Sequence, residues 1–297
     1  MTGGLSLLRG DCPIGDGPRG AGTYALGSHV AISEGPGSHS GSADAASSGV
    51  ASSGVASSGG ARLDGTRLDG GGHLIAALDT TDLDTARAWA AAISPHCGLF
   101  KLGLEFFLAN GAAGFRAIAG RPIFLDLKLH DIPNTVAGAV RAVLPLTPHM
   151  LTLHAAGGPA MITAARQAAE AAGDTRPLLL AVTVLTSLDD AALTATGVVG
   201  TPAEQALRLG RMALAAGADG LVCSPLEVAM LRVALGPGPK LVVPGIRPAG
   251  AAVGDQARVT TPRAAVAAGA DWIVVGRPIT GAADPAAAAA AIAADLA

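Results

Sequence analysis

Residues 126–135 read DLKLHDIPNT and bring Asp126, Lys128 and Asp131 within six positions of one another. An amine between two carboxylates, in a stretch otherwise apolar enough for a buried strand, is equipment for electrostatic and acid–base chemistry. An ammonium held there can stabilise negative charge that develops on a bound molecule and then deliver a proton to it. The chain has three lysines, Lys101, Lys128 and Lys240, against 13 arginines after residue 72. Arginine is therefore the default cation, and a lysine kept between two acids marks a need for a compact ammonium that can give up its proton. The plain alternative is a structural ion pair. Its desolvation cost is not reliably recovered by its own attraction, so stability alone is a weak reason for it.

Residues two apart on a strand face the same side. Asp126 and Lys128 thus share a face, and Leu125 and Leu127 take the other. Further polar residues fall where apolar runs end: Asp79, Lys101, His154, Thr186 with Ser187, and Gly276 with Arg277. The stretch PGIRP at 244–248 opens a Gly-rich loop that contains Gln256. In VVGRPIT a glycine N–H and the Arg277 guanidinium stand just before the last helical stretch. That arrangement suits an anion, through backbone donors and a fork of charged ones.

The elements that must carry these residues are eight short apolar runs, at 73–79, 98–103, 122–128, 149–155, 177–185, 219–224, 240–245 and 271–276. Helical stretches separate them, at 82–94, 104–119, 134–146, 158–172, 202–216, 225–235 and 261–269, with a last one at 285–296. Strands of this length alternating with helices predict βαβ units and a parallel sheet. Eight units in a body of this size predict a (β/α)₈ TIM barrel of the α/β class, with its active rim at the C-terminal ends of the strands. A doubly wound open sheet is the rival, weakened by the absence of GxGxxG after the first strand.

The chain has 297 residues, half of them hydrophobic, and a formal net charge of −3. No strongly basic field exists to attract nucleic acid or an anionic membrane surface. Three widely spaced cysteines make neither a disulfide framework nor a metal pattern, which fits a reducing, cytoplasmic setting. The N-terminus lacks the pattern of a secretory signal, and no run of about 18 apolar residues is free of Gly, Pro and charge. Composition changes near residue 72. Residues 1–72 hold 19 glycines and the imperfect repeats ASSGV, ASSGV, ASSGG, RLDGT and RLDGG. Such a segment buries too little apolar surface to offset its ordering entropy, so residues 1–72 read as a disordered Gly/Ser/Ala-rich extension and 73–297 as the catalytic barrel.

The body, 73–297, resembles the orotidine 5′-phosphate decarboxylase family. DLKLHDIPNT is similar to that family's signature segment. FKLG, VTVLTS, VPGIRP running on to DQAR, and VVGRPIT match further elements in the right order. The resemblance implies a (β/α)₈ barrel that converts orotidine 5′-phosphate to uridine 5′-phosphate and CO₂ in pyrimidine biosynthesis, with no metal or organic cofactor. Position by position, it makes Lys128 the proton donor to C6 of the pyrimidine and Asp126 the carboxylate against the departing one. Lys101 joins them in an alternating charge array. Asp131 and Thr135 resemble residues that reach into a neighbouring subunit's site, which implies a homodimer with shared active sites. Asp79 resembles the acceptor for the ribose hydroxyls, with Lys101 nearby, and Thr186 the residue contacting the pyrimidine ring. Gln256 resembles a closing-loop residue between phosphate and base. Arg247, Gly276 and Arg277 resemble the phosphate end of the site. The N-terminal 72 residues have no counterpart in the family pattern.

Two other readings use the same barrel. A Mg²⁺-dependent decarboxylase of a sugar-acid phosphate, such as 3-keto-L-gulonate 6-phosphate, shares the Asp-x-Lys-x-x-Asp spacing, but IPNT and the matches in strands 5 and 8 favour the pyrimidine enzyme. A non-catalytic barrel that binds a phosphate ligand gives no reason for Lys128 between two acids.

Overall fold

The computed structural model describes residues 70–248 and 260–297. Gly70–His73 form a 3₁₀ turn that takes in the last three residues assigned to the extension. Residues 1–69 lie outside the described residues, and so does Gln256.

Eight strands pair in parallel in sequence order and close on themselves: β1 (Leu74–Ala77), β2 (Leu99–Gly103), β3 (Ile123–Leu129), β4 (Met150–His154), β5 (Leu178–Val182), β6 (Gly220–Val222), β7 (Lys240–Val243) and β8 (Trp272–Val275). This is the (β/α)₈ barrel expected from the sequence. Each strand lies within its expected run except β3, which continues one residue further. The helices are α1 (Leu83–Ile93), α2 (Leu104–Ala117), α3 (Pro133–Val143), α4 (Gly158–Glu170), α5 (Asp190–Ala195), α6 (Pro202–Ala215), α7 (Val228–Leu235), α8 (Pro262–Ala267), α9 (Arg277–Thr280) and α10 (Pro285–Leu296). The sequence reading lacks α5 and α9, of six and four residues.

Helix starts are set locally. Asp82, Asp189, Thr201, Thr261 and Asp284 each accept a backbone N–H three residues on, which satisfies a donor the helix cannot. Proline opens α3, α6, α8 and α10, where its missing N–H costs nothing.

Strand alternation sorts the core into two layers. Leu74, Phe100, Leu125, Leu151, Leu179, Leu221, Leu241 and Ile273 point outward and pack under the helices. Ile75, Leu99, Phe124, Met150, Leu180, Val222, Val242 and Trp272 fill the lumen. The lumen is thus a packed plug, and space for a ligand begins only above it.

The strand starts are braced by a clasp that occurs twice. AAGAD precedes both β6 (215–219) and β8 (267–271). In each, a glycine with φ of 105° or 110° ends the preceding helix, a conformation that favours glycine. The aspartate that follows accepts a backbone N–H from the strand before it: Asp219 from Leu179 and Asp271 from Leu241, both at 2.8 Å. Arginines close the clasp, Arg166 and Arg176 on Asp219, and Arg232 on Asp271. Lys240 joins the second clasp, 3.5 Å from Asp271 and stacked over the Trp272 ring. The lysine outside the sequence-expected rim therefore serves this foot of the barrel.

Candidate active site

Above the lumen plug, the next inward position on each early strand is polar. Lys101 follows Leu99 on β2, Asp126 follows Phe124 on β3, and Thr152 follows Met150 on β4. Asp79 stands two residues past the end of β1. The four charged groups line up by contact. Lys101 Nζ is 2.9 Å from Asp79 Oδ1 and 3.7 Å from Asp126 Oδ2. Lys128 Nζ is 2.9 and 2.8 Å from the two oxygens of Asp126. The order Asp79, Lys101, Asp126, Lys128 alternates in sign, so every charge has an opposite neighbour.

Lys101 and Asp126 are 9% and 8% exposed, so little water screens them. Burial pushes Lys101 toward its neutral form, but the carboxylates of Asp126 and Asp79 outweigh it and raise its pKa. Burial likewise pushes Asp126 up, and the ammoniums of Lys101 and Lys128, with the hydrogen bonds from Lys128 and Thr152, bring it below the ordinary carboxylate range. Both groups stay charged at neutral pH, and each is the other's reason.

Lys128 reaches this position through an irregular backbone. Leu125 pairs with Leu151 and Leu129 with Leu153, so four steps along β3 match two along β4. The bulge adds an even number of residues and leaves the inward and outward faces in phase. At its crest Lys128 has φ of 49°, in the left-handed region that side chains rarely adopt. Asp126 and Lys128 both line the inward side, as simple alternation predicts, and that shared face is preserved by the bulge. Thr152 holds both ends of it. Its hydroxyl accepts the Lys128 N–H at 2.8 Å and donates to Asp126 Oδ1 at 2.9 Å.

A cavity of about 330 Å³ opens over the array. Asp79, Lys101, Asp126 and Lys128 line it from the β1–β3 side, and Arg247, Gly276 and Arg277 from the β7–β8 side, with Thr186 between them. In the closed ring β7 stands opposite β3, so Arg247 follows the strand across from Asp126 and Lys128, whereas β8 pairs with β1 and brings Arg277 to the Asp79 side. Gly276 brings backbone close to the ligand space. A Cβ there would stand 3.5 Å from that of Ala77 and 3.8 Å from Asp79 Oδ2.

Two expected site residues stand apart. Asp131 and Thr135 are exposed and line no part of this cavity. Asp131 Oδ1 accepts the N–H of Ile132 at 2.6 Å, and among the described residues Lys128 is paired with Asp126 alone. Within one chain, then, Lys128 is held by one of the two acids that flank it in sequence. The chain turns outward after Leu129, which carries Asp131 away from the array.

Thr152 escaped the sequence reading. An isolated threonine in MLTLH looks like any β-branched strand residue. Its spacing of two from His154 was the available signal, since it places both on the lumen face. His154 meets His130 with ring centroids 5.3 Å apart.

Residues 72–292 match the family model described as Orotidine 5'-phosphate decarboxylase / HUMPS family. The chain is 59% identical over 225 residues to the orotidine 5'-phosphate decarboxylase of Anaeromyxobacter sp. (strain K), covering 75% of this chain and 97% of that one. It is 57% identical over 226 residues to the same-named protein of Thermobifida fusca (strain YX), covering 75% and 95%. Among solved structures, orotidine 5'-phosphate decarboxylase from Lactobacillus acidophilus superposes with a TM-score of 0.66 at 40% identity, over 75% of this chain and 98% of that one. A matching family model across the whole barrel, and relatives matched over nearly their full length, place the chain in the orotidine 5'-phosphate decarboxylase / HUMPS family.

Proposed function

We propose that this protein decarboxylates orotidine 5′-phosphate to uridine 5′-phosphate and CO₂. The observation that carries the reading is the Lys128 ammonium, clamped on both oxygens of Asp126 at the floor of a cavity that Arg247 and Arg277 also line. One end of the cavity suits a phosphate, and the other meets charge as it forms on a ring carbon.

The chemistry follows from where the electrons go. When the C6–carboxylate bond breaks, CO₂ leaves without the bonding pair, which stays on C6 in the plane of the ring. The π system cannot take it up. A fixed ammonium at C6 stabilises the pair and then transfers a proton to it, giving a C6–H bond and a neutral amine that solvent reprotonates. Asp126, already oriented by Lys101, Thr152 and Lys128, holds the ammonium in place before substrate arrives. Little reorganisation is then needed as the charge appears. Arg277, Gly276 and Arg247 take the phosphate, whose binding energy is realised in the transition state although no bond to it changes. Asp79, held to Lys101, accepts from the ribose hydroxyls, and Thr186 meets the pyrimidine ring.

The same reading makes the active enzyme a homodimer. Asp131 and Thr135 flank Ile132, an exposed apolar side chain at the start of α3, and all three are available to a second subunit. It also makes the enzyme cytoplasmic. Among the described residues no helix is long and apolar enough to cross a membrane.

The test is to add orotidine 5′-phosphate to metal-free protein and follow the loss of its ultraviolet absorbance. Turnover is expected with the parent and not with Lys128→Ala. A parent protein that binds the nucleotide without consuming it would make this a binding barrel instead. For the dimer, mixing Lys128→Ala and Asp131→Ala chains is expected to restore activity that neither has alone. A monomer by light scattering, fully active, would remove the shared site.

A further inference from the structure

Thr152 is fully buried at the centre of β4 and uses both capacities of its hydroxyl. The Lys128 N–H can only donate, so Oγ1 must accept from it. The hydroxyl proton is then left for Asp126 Oδ1, which as a carboxylate can only accept. The direction of both bonds is fixed by chemistry. Through them a single oxygen ties the crest of the β3 bulge to the carboxylate that clamps the Lys128 ammonium.

We infer that Thr152 is a positioning residue for the reaction: it holds Lys128 in its left-handed backbone conformation and Asp126 in the rotamer that meets the amine. Three observations point the same way. Lys128 has φ of 49°, a conformation that persists only where its surroundings impose it. The β3–β4 ladder is out of register at this place, so the regular pairing does not hold the segment between Leu125 and Leu129. Thr152 is β-branched and packed within a strand, so its side-chain torsion has little freedom to move the oxygen away. Its effect passes through Lys128 and Asp126, and Thr152 itself does not line the cavity.

The kinetic arm of the test rests on the decarboxylase reading, and the structural arm does not. Thr152→Val keeps the shape and removes the hydroxyl, whereas Thr152→Ser keeps the hydroxyl. Misplacing a reacting group by about 1 Å costs on the order of 100-fold in rate. Thr152→Val is expected to lower kcat by about 10- to 100-fold with KM within about threefold of the parent, and Thr152→Ser to recover most of the loss. Unchanged kcat in the valine variant, a loss confined to KM, or no recovery with serine would overturn the role. Should the valine variant not fold, Thr152→Ala against Thr152→Ser gives the same comparison. Crystal structures of parent and valine variant supply the arm that needs no turnover. The ammonium is expected to leave its two-oxygen contact with Asp126. Lys128 found at the same positive φ, with both contacts intact, would sink the inference even in a protein inactive on orotidine 5′-phosphate. An inactive parent whose variant does show the displacement would instead strike the proposed reaction and leave the positioning role standing.

Discussion

Lys128 and Asp126 are two residues apart on one strand, and the amine of the first touches both oxygens of the second, at 2.9 and 2.8 Å. On a regular strand such neighbours lie side by side. Here the ladder shifts register between Leu125 and Leu129, so the central contact of the site lies within a bulge.

Replacing Lys128 with alanine removes both the stabilising charge and the proton source. Turnover is expected to fall by at least about 10⁴-fold, the combined scale of a lost general acid and a lost electrostatic partner. Circular dichroism should report an unchanged barrel, because Lys101 still stands 3.7 Å from Asp126. Normal turnover in this variant would end the proposed mechanism.

Arg277→Ala tests whether the arginine side of the cavity holds phosphate. With orotidine 5′-phosphate, kcat/KM should drop by about 100-fold, the scale of losing one charged clamp on a bound oxyanion. With the nucleoside lacking phosphate, parent and variant should react alike. Equal sensitivity with both substrates would move Arg277 out of the phosphate site.

Lys101→Met leaves Asp79 and the buried Asp126 short of a partner. Breaking a buried ion pair from one side costs about 3–5 kcal/mol. Denaturant unfolding should show a loss of that size, while Lys128→Ala, whose lysine is more exposed, should lose less. The reverse ranking would mean that Lys101 is not the structural centre of the array.

The dependence of stability on pH follows from two histidines. Burial lowers the pKa of His154 from 6.5, with His130 and Lys128 adding to the effect, and burial lowers that of His149. The unfolded chain therefore takes up protons before the folded one does as pH falls. This contribution is complete above 6.5 and is lost below it, as pH drops toward the depressed folded values. The melting temperature should be lower at about pH 5.5 than at about pH 7.5, and His154→Gln should reduce the difference. Asp126, lowered in the fold, adds a second loss at more acid pH, below its ordinary 3.8. A melting temperature flat between about pH 5.5 and 7.5 would contradict the histidine assignment.

Chelation separates the pyrimidine reaction from a Mg²⁺-dependent one on the same kind of barrel. Asp79 and Asp126 are each already in contact with a lysine ammonium, a poor setting for a divalent cation. Activity should survive EDTA and not rise on adding Mg²⁺. Loss on chelation with recovery on Mg²⁺ would favour the sugar-acid reading.

The strands were legible because each is a short apolar run with both faces covered, a pattern a parallel barrel imposes on every stave. Lys101 and Asp126 were legible because a charge inside such a run has no structural explanation. Thr152 was not, since a threonine satisfies strand propensity whether or not its hydroxyl is used. Asp131 lies five residues from Asp126 and is exposed in the single chain, which leaves it available to a second subunit. Neighbours in sequence predict neighbours in space only while the backbone stays regular, and here the bulge and the turn come one after the other.

The paired AAGAD clasps stand at the entrances of β6 and β8, the length of a strand away from the ammonium. Rigidity is thus anchored at the end where nothing reacts. The rim that does the work is free to lengthen a loop or exchange a side chain without loosening the hoop, which makes this barrel a tolerant chassis for redesigning what it accepts.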